Sequence, residues 1–231
     1  YNQYVGRLFD MPLNQKELVR VKLADRLDNT LDMRIDIQDP LEGVNFFEAL
    51  FQNLFVNSYG GYKPRFEHPS RAPFNGVKRL YQLFKNTILA TLIRRKHLAE
   101  DDETSERLFR ALVYSSMLEA QRIVLHIFGY HFTNLEEQRA VLMDAMKYCQ
   151  EDRIHEVTDP TEPHPLDGLF MMRFDLLDPG KRVQELEALY EDKAVMVQAG
   201  IAFIAIFQGF LNDPSFYIRG VSSEGIRPDR V

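Results

Sequence analysis

Residues 19–34, VRVKLADRLDNTLDMR, constrain the fold most tightly, because they sort onto two sides only if the segment is a helix. At roughly 100° per residue, Leu23, Ala24, Leu27, Leu31 and Ile35 gather on one arc, which is expected to be buried. Asp25, Asp28, Asn29 and Asp32 gather on the other, with Asp25 and Asn29 one turn apart and aimed the same way. Carboxylates sharing a helix face repel one another, and a cation or a donor-rich ligand would relieve that repulsion. Lys22, Arg26 and Arg34 offer a plainer relief, a solvated acidic stripe balanced by its own basic neighbours.

Within this helix, KLADRLDN resembles the last metal-ligand motif of HD-domain phosphohydrolases. It is most similar to the branch that hydrolyses guanosine tetraphosphate, where a KLADRLHN-like helix closes the site. Tyr1, Tyr4 and Val5, then a short spacer with Pro12, resemble the helix that precedes this motif in the family. Nothing after Asp36 adds to the likeness.

The resemblance implies that residues 1–57 are the C-terminal part of an HD-type helical domain. On the same ground Asp25 would ligate a divalent metal, manganese or similar, and Asn29 would meet a nucleotide or other phosphate-ester substrate, with Asp28 and Lys22 beside it. Asp28 stands where many relatives have His. The implied chemistry is metal-assisted attack of water on phosphorus.

The family's other ligands, an upstream His and a His-Asp pair, have no counterpart: the chain contains no His-Asp dipeptide and no His before His68. One carboxylate does not hold a catalytic metal, which takes about three or more protein ligands. The chain as it stands is therefore expected to be inactive and without metal, the missing ligands preceding Tyr1 in the intact protein. The alternative is a non-catalytic helical interaction or regulatory module, assembled as a homodimer through its Phe-rich or its 194–210 surface.

Composition narrows the partners. A net charge of −6 and the lack of a Lys/Arg stripe argue against a nucleic-acid backbone. The densest basic run, Arg94-Arg95-Lys96-His97, reads as a helix C-terminus complementing its dipole. The single cysteine, Cys149, excludes an intrachain disulfide, fits a reducing compartment and reads as buried and inert. No secretory leader is evident at Tyr1, so a cytoplasmic location is expected. Residues 194–210 are almost continuously apolar, but at about 17 residues they fall short of the roughly 20 a bilayer span needs. A buried central helix or an oligomer interface is expected there rather than a membrane anchor.

Along the chain, Met11-Pro12 breaks an opening helix, and Asn14 with Glu17 forms a capping-box start for the motif helix. That helix is expected to reach about Ile37, before Asp39-Pro40. Phe46, Phe47, Leu50, Phe51, Leu54 and Phe55 then repeat at helical spacing, a pattern read as core.

Irregular stretches follow near 58–76 and 151–165, where glycines and prolines accumulate. His155 and His164 in the second match no metal-ligand spacing. Helices are expected over about 74–97, from Asp101–Glu103 to about Phe128 with Thr104 or Ser105 as cap, and from Asn134 to about Gln150. His126 and His131, five apart, do not share a helix face and read as structural.

Residues 166–177 fit helix or strand. Pro179-Gly180 interrupts, residues 181–210 read as one long or two short helices, and the tail from Asn212 reads as irregular. No convincing period-two strand occurs, so the expected fold is all-α: an HD-type C-terminal part, then a helical extension over 58–231.

Overall fold

The structure, a computed structural model, describes residues 7, 16–32, 76–131, 135–150, 178–218, 221–222 and 225–226. The expectations for Met11-Pro12, Asn14, the Phe-rich run at 46–55, residues 33–75, Asn134 and residues 151–177 lie outside them. Six helices make up the described fold: α1 Lys16–Asp32, α2 Gly76–Arg95, α3 Glu103–His131, α4 Leu135–Gln150, α5 Pro179–Glu191 and α6 Lys193–Asn212. The strand pairing among the described residues is a two-residue antiparallel ladder, β1 Val221–Ser222 with β2 Gly225–Ile226. The all-α reading holds.

The long helix α3 is the centre of the packing: α6, α1 and α2 all lie against it, and α6 also meets α2 and α4. The shared core includes Phe84 from α2, Phe109 from α3, and Phe203, Phe207 and Phe210 from α6, all essentially sequestered from water. Val19 and Leu23 of α1 belong to the same cluster. The neighbours of α6 explain its continuous apolarity. With neighbours on several sides, a helix buries more than one stripe. Over Val195–Asn212 it is long and apolar enough to cross a bilayer, and 56 % of that window is buried inside the protein, as for a core helix.

The helix boundaries follow local chemistry. α2 closes through His97, whose φ of 53° places it in the left-handed region. The Leu98 N–H reaches the Ile93 carbonyl at 3.0 Å and the His97 N–H reaches Arg94 at 3.1 Å, the paired bonds of a Schellman stop. Leu98 and Ile93, the two positions that usually carry that stop's apolar pair, are both buried. The basic run thus ends a helix, as its charge pattern indicates.

Asp102, rather than Thr104 or Ser105, caps α3. Its carboxylate accepts the Thr104 backbone N–H and the Ser105 hydroxyl, and its own carbonyl receives the Glu106 N–H at 2.9 Å. Asp, Ser and Thr are all acceptable caps, so local sequence does not separate Asp102 from Thr104 and Ser105, and only the ion partner described below selects it.

At the junction expected to hold one long or two short helices, Asp192 separates α5 from α6 and caps the latter by accepting the Val195 N–H at 3.1 Å. Pro179-Gly180 opens α5 instead of merely interrupting, with Asp178 accepting the Gly180 and Lys181 N–H groups. Residues 213–218, directly after α6, are irregular but packed against the bundle. Asp213 accepts Ser215 N–H and Oγ–H in a tight turn. Phe216 then folds back, edge-on to Phe210 at 4.9 Å, and Ile218 is buried.

Candidate functional site

The inward face of α1 is rotated from the one its apolar residues suggest. Val19, Leu23 and Thr30 are buried, whereas Ala24 is exposed and Leu31 is 41 % exposed. The cause is a polar contact. Asn86 of α2 donates to Thr30 Oγ1 at 2.8 Å and to Ser116 Oγ of α3 at 2.9 Å. Thr30 Oγ1 in turn donates to the Arg26 carbonyl at 2.7 Å. Tying Thr30 inward leaves Leu31, its neighbour, facing out.

Asp25, Asp28, Asn29 and Asp32 all lie on the exposed side, as the helical pattern indicates. Asp25 is 47 % exposed. Arg26 grips its Oδ2 through Nη2 at 2.9 Å and Nε at 3.2 Å. Asn29 Nδ2 donates to the Asp25 carbonyl at 2.6 Å and to its Oδ1 at 3.2 Å. The acidic stripe is therefore relieved, at Asp25, by a guanidinium and an amide from the same helix. Asp28 is exposed and Lys22 half-buried.

Behind this face runs a buried polar seam. Arg79, Gln82 and Asn86 fall on one stripe of α2, turned towards α1 and α3. Gln82 Oε1 accepts from Arg26 Nη1 at 3.5 Å, linking the seam to Asp25 through one guanidinium. Glu119 of α3, with no exposed surface, is held between Arg79, at a short contact, and Arg122 Nη1 at 2.6 Å. A carboxylate so placed persists only because two guanidinium groups replace its lost hydration. Sequence pattern alone does not single out Arg79, Gln82, Asn86, Glu119 or Arg122. A signal existed: Ser116 and Glu119 occupy the inward stripe of α3 between Leu112 and Ile123, where a purely apolar face would place two more hydrophobic side chains.

At the far end of α1, Arg20 makes a two-pronged contact with Asp102, Nε to Oδ2 at 2.8 Å and Nη2 to Oδ1 at 2.7 Å. That fork, with help from the Ser105 hydroxyl, holds the Asp102 carboxyl well below the usual carboxylate range. Reciprocally, it raises the Arg20 guanidinium. Lys16 reaches the Asp101 carbonyl at 3.2 Å. These contacts fix where α1 sits against the start of α3. One turn further along α3, Arg94 spans from Glu106, at 3.2 Å through both Nη atoms, to the face of the Phe109 ring at 4.1 Å.

The donor set for a divalent cation is incomplete among these residues. No group of three or more His, Cys, Asp or Glu side chains is placed to hold a metal ion among the described residues. Asp25 supplies one carboxylate, and a guanidinium engages one of its oxygens. No protein-family model matches the chain, and neither a curated protein nor a solved structure does.

Proposed function

We propose that α1 is the ligand-bearing helix of an HD-type metal-dependent phosphohydrolase acting on a nucleotide or other phosphate ester. Asp25 is the carboxylate offered to a divalent cation, and Asn29 the amide offered to the substrate, with Asp28 and Lys22 flanking. The remaining donors come from outside the described residues. One observation carries the reading: Asp25 and Asn29 project together from the exposed side of α1, one turn apart and hydrogen-bonded to each other. A buried seam anchors the opposite side through Thr30.

The experiment is manganese-dependent release of phosphate or pyrophosphate from a nucleotide panel by the intact protein. Activity lost in Asp25→Asn but kept in Glu103→Gln, on the remote start of α3, supports the proposal. An intact protein that neither binds manganese nor hydrolyses any member of the panel defeats it.

The grip of Arg26 on Asp25 favours a second reading, a non-catalytic helical module, because a carboxylate already neutralised by its neighbour has no need of a cation. On that view Arg26→Gln leaves metal affinity at zero. On the first view it frees Asp25 and tightens manganese binding. Light scattering of the intact protein checks whether the module assembles as a homodimer.

A further inference from the structure

Two amide side chains on α2 point into the seam, each with one end unmatched among the described residues. Gln82 and Asn86 are one turn apart on the same face, 8 % and 0 % exposed. Gln82 gives its oxygen to Arg26 Nη1, so its orientation is set: the opposite one would press an amide N–H₂ against a guanidinium. Gln82 Nε2 is then left inside, without a hydrogen-bond partner.

Asn86 spends its Nδ2 on Thr30 Oγ1 and Ser116 Oγ, whose own hydrogens go to the carbonyls of Arg26 and Leu112 at 2.7 Å each. Its Oδ1 is left without a donor. Turning the Asn86 amide over would strand two N–H bonds in place of one oxygen, so the orientation is again the better of the two. One helical turn therefore presents an unmet donor and an unmet acceptor, both shut off from bulk solvent.

We infer that the α1–α2–α3 seam encloses a bound water that accepts from Gln82 Nε2 and donates to Asn86 Oδ1. Water is the ligand chemistry that fits, since it offers a lone pair and a hydrogen at once, carries no charge and is small enough for a helix junction. The large majority of buried polar atoms in folded proteins are matched, and enclosed waters do that work where side chains fall short. The site lies directly behind the Asp25–Asn29 face, with the Arg26 guanidinium between them. Its existence is independent of the hydrolase reading.

The test is a crystal structure of the full chain at a resolution that orders internal solvent, paired with water–protein cross-relaxation at the Gln82 side-chain amide in solution. The expected result is one water within hydrogen-bond distance of both Gln82 Nε2 and Asn86 Oδ1, with cross-peaks from a long-lived water. A protein group in that position, or the two amides bonded directly to each other, overturns the inference. Gln82→Met is expected to lose the water; a water that remains there unchanged overturns it as well. The measurements on the unaltered chain decide the question even if that variant does not fold.

Discussion

At Gly200, α6 comes close to Val124 and Ala120 of α3. A methyl group added there would lie 2.5 Å from Val124 Cγ2, with the Ala120 carbonyl 3.9 Å away. Carbon–carbon contacts settle at roughly 3.5–4.0 Å, so Gly200→Ala demands about 1 Å of movement. Val124 is buried and β-branched, which leaves it about one favoured rotamer in a helix, and the interior around it is close-packed.

Overpacking of this kind costs about 1–3 kcal/mol, and a contact this short belongs at the upper end. Replacing a mid-helix glycine returns about 1 kcal/mol of helix propensity. The clash wins, with a net loss of about 2 kcal/mol, or a fall of about 4–8 °C in Tm for a chain of this size. Thermal unfolding followed by circular dichroism, checked against urea titration, measures it.

Val124→Ala alone should cost about 2 kcal/mol, from two methyl groups and the space they leave. Combined with Gly200→Ala it should cost less than the sum of the two by about 2 kcal/mol, because the new methyl enters the vacated space. A Gly200→Ala protein as stable as the original, or strictly additive variants, would refute the close-approach argument.

Glu119→Gln removes the acid that Arg79 and Arg122 share, and breaking a buried pair this way should cost about 3–5 kcal/mol in urea unfolding. A loss under about 0.5 kcal/mol would mean the seam is open to solvent. Asp192→Ala should cost about 0.5–2 kcal/mol through loss of the α6 cap and leave far-UV helicity nearly unchanged. Because Arg20 and then Ser105 depress the Asp102 carboxyl, its stabilisation is fully present above the ordinary value of 3.8 and drains away as pH falls below it towards the folded value. Asp102→Asn should therefore be less stable than the original at neutral pH, and the gap should narrow as pH drops from about 4 to about 2. A gap that stays constant across that range would show that the Arg20 fork contributes nothing.

Helix positions were legible in the chain because they rest on local periodicity and punctuation. The basic run ending in His97, the acids opening α3 and the apolar stretch of α6 each act within a turn or two of themselves. The separation of Asp25 and Asn29 from the apolar arc of α1 is of the same kind, since a single helix dictates it. What α1 turns towards the core was settled elsewhere. Thr30 displaces Leu31 from the inside because Asn86 and Ser116, distant in sequence, supply its hydrogen bonds, and one buried amide outweighs the partial exposure of a leucine.

Likewise Asp102 rather than its neighbours became the cap because Arg20 arrives from another helix, and Glu119 became tolerable inside because two arginines converge on it. Sequence alone determined that this chain is helical and where the helices run. Tertiary contact alone decided which faces meet and which polar groups may be buried, since a buried charge or amide is affordable only beside partners that local spacing does not reveal.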